Sequence, residues 1–364
     1  MSNATAVRSR WFLETWYALL AIVSSLTLGG IILLYMGESP LQVYTLLVKG
    51  SLGRLDLISA TLAATTPYLL CGLALAFAFQ AGLFNIGAEG QLFMGAMAAA
   101  LVGRWMTVPG IGPVVVILVG IGAGMLWGYI PALLKNRFGV HEVINTIMLN
   151  YIAIYFCSWL LNVKGGTYKI LGMSLTIPSI RGDQAMPRTA DVAAQAQLPS
   201  LSLGGLSIDT GLLLAILLAV ILLVVMRRSR LGYAVKVMGM QPKAAETAGI
   251  STAKITIIGM VISGGMAGLA GALYASSPAH PYFETGFSPG WGFWGIALAL
   301  LARNHPIGVI FAALLFGMLE TGSSFLDTSL GIPRELVYIL EAIIILMISS
   351  RLFERLLEPD QRRT

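Results

Sequence analysis

Residues 82–96 read GLFNIGAEGQLFMGA, and they break a long apolar run with an amide, a carboxylate and a second amide. Asn85, Glu89 and Gln91 stand where a membrane helix normally carries leucine or valine. An acidic or basic group at a helix centre costs about 2.5 to 3.5 kcal/mol on insertion scales, so such groups face a partner or water. Gly82, Gly87 and Gly90 disfavour a regular helix through the segment. Two readings are open. The segment is a bend at membrane depth, which is tolerated only against protein or a water-filled path. Or it is a hairpin in the cytoplasm, with Glu89 in the first turn of the next helix, where the helix dipole favours a carboxylate.

The surrounding chain makes the solvent a bilayer. Of 364 residues, 57% are hydrophobic and 11% charged, and the mean hydropathy is +0.81. A soluble domain carries about 25% charged residues. Apolar runs near 16–36, 55–80, 88–103, 111–134, 143–161, 210–226, 254–275, 290–302, 306–322 and 335–350 read as spans. The expected fold is an all-α, polytopic membrane protein of about ten transmembrane helices, the eighth short or re-entrant. The 41 glycines favour close helix packing. With the N-terminus inside, 15 Lys and Arg fall on inner segments and 8 on outer ones, which places both termini in the cytoplasm. The chain then divides into an N-terminal tail (1–15), a transmembrane body (16–350) and a C-terminal tail (351–364). MSNATAVRSR reads as a cytoplasmic tail rather than a cleavable signal.

Two hydrophilic stretches interrupt the body. Residues 162–209 are rich in Pro, Gly, Ser and Gln and fall outside, as a loose connector or as a docking or gating loop. Residues 227–254, RRSRLGYAVKVMGMQPKAAETAGISTAK, fall inside. Pro242 suits a first helical turn, KAAETA favours helix, and Gly249 suits a C-terminal cap. A short helix results, with Ala244, Ala245 and Ala248 as a small, smooth face that fits another protein's groove.

Two further polar groups lie in the spans. EVINTIMLNYIA opens with Glu142, then Asn145 and Asn150. The two asparagines lie about 140° apart around a helix and cannot share a narrow stripe. They read as interhelical glue or as path-lining groups. In SSPAHPYFETGFSPGWGFWGIALALLARNHPIG, three prolines break any helix before Trp291. Trp291 and Trp294 share a face, as interfacial anchors or as a stacking surface for a planar solute.

Other chemistry is missing from the motif set. GxxxxGK[ST] and HExxH do not occur and no Ser/His/Asp set has a convincing context, so the sequence makes no case for an enzyme. Cys71 and Cys157 read as buried free thiols, and His141, His280 and His305 are too scattered for a metal site. No cofactor is expected.

FNIGAEGQLFMGA, EVINTIMLNYIA, GMQPKAAETAGI and GFWGIALALLARNHPIGVIFAALLFG, in this order, resemble the permease subunit of nucleoside-type, binding-protein-dependent ABC importers. These belong to the wider ribose and branched-chain amino-acid permease superfamily. The resemblance runs from about residue 60 to 350. It implies a second permease, with a heterodimer favoured, two cytoplasmic ATPase domains, and an extracytoplasmic binding protein or lipoprotein. It also implies a multi-pass protein of a bacterial-type inner or plasma membrane that passes nucleosides by alternating access. The ATPase-coupling role falls on Gly239, Pro242, Ala244, Ala245, Glu246 and Gly249, with Gln241 in place of the family's usual Asn. Asn85, Glu89, Gln91, Asn145, Asn150, Trp291 and Trp294 are the expected substrate path. The rivals are permeases for ribose-like sugars or branched-chain amino acids, and an ion-coupled carrier using Glu89, Glu320 or Glu341.

Overall fold

The structure is a computed structural model that describes residues 20, 23–163, 165–170, 173–177, 179–182 and 186–349. The expected terminal tails and the start of the first span lie outside the described residues. The helices are α1 (Val23–Tyr35), α2 (Pro40–Leu52), α3 (Leu55–Gln80), α4 (Ala88–Gly103), α5 (Gly112–Phe138), α6 (Glu142–Asn162), α7 (Thr210–Arg228), α8 (Arg230–Met240), α9 (Pro242–Thr247), α10 (Thr252–Ala275), α11 (Trp291–Leu301), α12 (Pro306–Leu330) and α13 (Glu335–Ser349).

Six of these, α3, α5, α6, α7, α10 and α12, are long and apolar enough to cross a membrane, and α1 with α2 makes a seventh candidate bent by 117°. At 1.5 Å per residue, α4 and α11 reach only about 24 and 16 Å, short of a hydrocarbon core about 30 Å thick. Gly82 and Gly87 before α4, and Ser288, Pro289 and Gly290 before α11, delay the helix start. The all-α expectation also needs a correction, because the 162–209 loop holds two antiparallel hairpins. They are β1 (Gly166–Ile170) with β2 (Met173–Ile177), and β3 (Ser200–Leu203) with β4 (Leu206–Asp209). Gly204 and Gly205, both at positive φ, make the two-residue turn of the second hairpin.

The chain forms two compact units. In Leu62–Leu314, α10 packs on α5 and α4 through small residues. Gly120, Gly124 and Gly128 form one stripe of α5 facing Gly264 and Gly268 of α10. A Cβ at Gly124 would lie 2.2 Å from the Gly264 carbonyl oxygen, so these backbones touch. The other unit, residues up to Thr61 and from Leu315 onward, is held by Leu33, Val43 and Leu47 against Leu326, Ile332, Leu336 and Val337.

Candidate functional site

The polar stretch at residues 82–96 folds as a buried bend. Helix α3 stops at Gln80, Gly82 turns the chain at φ +70, and α4 starts at Ala88. Asn85, Glu89 and Gln91 are 0%, 3% and 1% exposed, which excludes a hairpin standing in water. The Asn85 amide donates to Gln91 Oε1 at 2.9 Å, and Gln91 Nε2 donates back to Asn85 Oδ1 at 3.0 Å. Asn85 also donates to Ser263 Oγ at 2.8 Å, and that hydroxyl donates to the Ala74 carbonyl. Ser263 lies halfway along α10, so the bend sits midway through the bundle.

Asn150 holds the same bend from α6. Its Nδ2 donates to the Ile86 carbonyl at 2.7 Å, and its Oδ1 accepts from Gly90 N at 2.8 Å. One side chain thus satisfies an acceptor before α4 and an unpaired amide in its first turn. Asn145 is also buried and makes only a long contact, 3.4 Å, to the Pro131 carbonyl. Glu142 pairs with Lys135 at 2.9 Å and ties α6 to the end of α5. Both asparagines therefore sit on the packed side of α6, and Asn150 is glue.

Glu89 reaches the start of a second short helix. Its Oε2 accepts from Gly292 N at 2.7 Å, and Ser288 hydrogen-bonds the same carboxylate. Ser288 Oγ also accepts from Gly290 N and Trp291 N at 3.1 Å each. The free amides that open α11 are thus covered by one hydroxyl and one carboxylate from α4. The approach requires glycine, since a Cβ at Gly292 would lie 2.2 Å from Glu89 N. Two interrupted helices meet N-terminus to N-terminus at mid-bundle. Such irregular backbone is tolerated at membrane depth because protein surrounds it.

Trp291 does not serve as an interfacial anchor. It is buried, with ring centroids 5.1 Å from Tyr274, 6.0 Å from Phe287 and 6.5 Å from Tyr68. Its indole Nε1 has no hydrogen-bond partner among the described residues. Trp294, one turn on, is half-buried.

Each end of this junction is tied to a different part of the helical bundle. On the side that charge places outside, residues 186–199 strap the irregular 276–290 segment. Thr189 N donates to the Phe283 carbonyl at 2.9 Å, and Phe283 N donates to Thr189 Oγ1 at 3.0 Å. Val192 N donates to the Pro281 carbonyl and Leu198 N to the Ser276 carbonyl, while the Arg188 guanidinium lies 4.0 Å over the Tyr282 ring. Thr189, Val192, Ala196 and Leu198 are buried, so this half of the long loop is part of the fold and not a loose connector. At the opposite end Gly239 of α8 lies against the end of α3, and a Cβ there would meet the Gln80 carbonyl at 2.2 Å. A cleft of about 410 Å³ opens here, lined by Ala81–Leu83, Lys135, Asn136, Met238, Gly239 and Pro242 among others. At the same end Gln80 Nε2 donates to the Asn304 carbonyl at 2.6 Å. Nearby, His305 takes a contact from the Arg227 guanidinium at 3.2 Å. Burial, then the Arg227 charge, holds this imidazole below its usual range.

The expected short helix is present but smaller than the smooth-face reading assumed. It comprises Pro242–Thr247, follows a separate α8, and has no side-chain cap from Gln241. Gly249 ends the segment at φ +77. Ala244, Glu246 and Ala248 are exposed, whereas Ala245 is fully buried within this chain. Residues 244 and 248 lie one turn apart on the open face, and residue 245 turns inward. Ala245 therefore leaves the set of surface residues.

Sequence reading missed Ser263, Ser288, Gly292 and Thr189. Ser288 was the most accessible of these, standing three residues before Trp291 as a helix-capping serine does. Thr189 carried no local signal.

A family model described as "Branched-chain amino acid transport system / permease component" matches residues 57–349. The chain belongs to this permease family. The permease is 38% identical over 334 residues to the guanosine ABC transporter permease protein NupP of Bacillus subtilis, covering 91% of this chain and 92% of the relative. It is 34% identical to the nucleoside ABC transporter permease protein NupB of Lactococcus lactis, covering 94% and 93%. It is 33% identical to the glucose ABC transporter permease protein TsgB13 of Haloferax volcanii, covering 92% and 87%. Family and helices together make the permease a multi-pass membrane protein.

Proposed function

We propose that the permease is the membrane subunit of an ATP-driven importer and that its cargo is a nucleoside. The observation that carries the cargo is the similarity, over more than nine-tenths of the chain, to two relatives named for guanosine and nucleosides. A sugar is the second reading, favoured by the relative named for glucose. Radiolabelled guanosine and glucose offered to vesicles holding the assembled transporter separate the two. ATP-dependent guanosine uptake is the expected result, and glucose uptake alone would overturn it.

The partners are ATPase subunits, an extracytoplasmic binding protein and a second permease. A heterodimer is supported by NupP and NupQ, two permeases of one organism that both match this chain, at 38% and 30%. Both termini are cytoplasmic, in a bacterial-type plasma membrane, in keeping with the excess of Lys and Arg on the inner segments.

The mechanism is alternating access centred on the Glu89–Gly292 junction. The binding protein docks on the 162–209 loop, and the strap at Thr189 carries that contact to the start of α11. ATP-driven movement of α8 and α9 reaches the other side of the junction through Gly239 and Gln80. Asn85, Glu89, Gln91 and Asn150 hold the moving backbone, and Trp291 and Trp294 line the path beside it. ATP is hydrolysed in the partner, not in this chain.

The exposed face of α9 supplies a test of the lever. Ala244→Arg places a long cation on the surface offered to the ATPase and disturbs no packing within the permease. Normal accumulation in the membrane with uptake reduced to background is expected. Uptake at the wild-type rate would remove α9 from the coupling path.

A further inference from the structure

We propose that Glu341 is a resident proton-binding site, held as a neutral carboxylic acid in the unit that contains the C-terminal helices. Glu341 follows Leu336 and Val337 along the buried stripe of α13, in a place that calls for leucine. It is 0% exposed, and neither carboxyl oxygen has a hydrogen-bond partner among the described residues.

Among the described residues no cation pairs with it. Among the described residues of this unit the cations are Lys49, Arg54 and Arg334. Lys49 is exposed on α2. Arg54 pairs with Asp56, and Arg334 pairs with Asp327 at 3.3 Å. The charged group that acts on Glu341 is a second carboxylate, Glu320 of α12. Tyr338 also lies within the field of both carboxylates, together with Arg334 and Glu335. Ser323 and Ser324, which could have solvated a carboxylate, spend their hydroxyls on the Glu320 backbone carbonyl. A buried carboxyl with neither a cation nor a hydrogen-bond donor to hold its charge neutralises rather than stay ionised. The ligand is therefore a single proton.

The proton stays with the protein and is not cargo. This separates the site from that of an ion-coupled carrier, where an intramembrane carboxyl must load and unload. The inference rests on this unit alone and stands whichever solute is carried.

Infrared difference spectroscopy of the assembled transporter in lipid, wild type minus Glu341→Gln, tests it. The expected spectrum loses a carboxylic C=O band that shifts in heavy water. Loss of the symmetric and antisymmetric carboxylate bands would overturn the proposal. Uptake provides the second arm. Glu341→Gln and Glu341→Leu both put a neutral group in the cavity and should accumulate and transport as wild type does. If both variants accumulate but neither transports, the proton takes part in the cycle and the resident role falls. If the Gln variant does not accumulate, the Leu variant supplies the reference spectrum.

Discussion

Gly124→Leu should prevent the permease from accumulating in the membrane, whereas Gly122→Ala should leave it unchanged. The two glycines are two residues apart on α5 and equally apolar, yet they face different things. A Cβ at Gly122 meets nothing within 4 Å. A Cβ at Gly124 would lie 2.2 Å from the Gly264 carbonyl oxygen and 2.7 Å from the Gly268 Cα. Overpacking a core costs about 1–3 kcal/mol when side chains can yield. Here the obstacle is backbone on a helix in the middle of the packed core, so the cost falls at or above that range. Membrane content by immunoblot, with fluorescence-detected size exclusion, reads the result. A Gly124→Leu variant that accumulates as a well-folded species would show that α5 and α10 do not pack this way.

Glu89→Ala should separate transport from folding. The substitution strips the acceptor from Gly292 N and from Ser288, and leaves an amide unpaired where water is scarce, at about 1–3 kcal/mol. Most of the bundle is untouched, so the variant should still accumulate, while α11 loses its hold on α4 and uptake falls to background. Glu89→Gln keeps an acceptor oxygen in the same place and should retain much of the uptake. Parallel measurement of membrane content and nucleoside uptake distinguishes the outcomes. If the alanine variant is absent from the membrane, Glu89 is a folding residue. If it transports normally, the junction is not the gate.

The apolar runs were legible because the bilayer imposes one rule on every residue in it. The breaks were legible too. Glycine before Asn85 and proline before Trp291 each announced irregular backbone, and the structure has irregular backbone at both. What the sequence could not show was that the two breaks meet. Glu89 and Gly292 are 203 residues apart, and neither carries a mark of the other. Trp291 misled because its spacing to Trp294 suits an interface as well as a core. Ala245 misled because a six-residue helix cannot turn three alanines to one side, and one of them had to anchor it. The long loop looked unstructured because Thr189, Val192 and Leu198 use the backbone of residues 276–283, a partner that local pattern cannot reveal.

The glycine contacts among α4, α5 and α10 have a mechanical corollary. Where helices meet through long side chains, rotamers can change and the helices can slide. Where backbone rests on backbone, as at Gly124 and Gly264, no side chain lies between them to absorb a displacement. Those three helices form a stiff block, and compliance is confined to what adjoins it. Residues 81–87 and 276–290 are the non-helical elements at its border. A displacement applied to α8 or to the strap is not dissipated by the block but is delivered to those two segments, which makes the stiffness of the glycine core a condition for action at a distance.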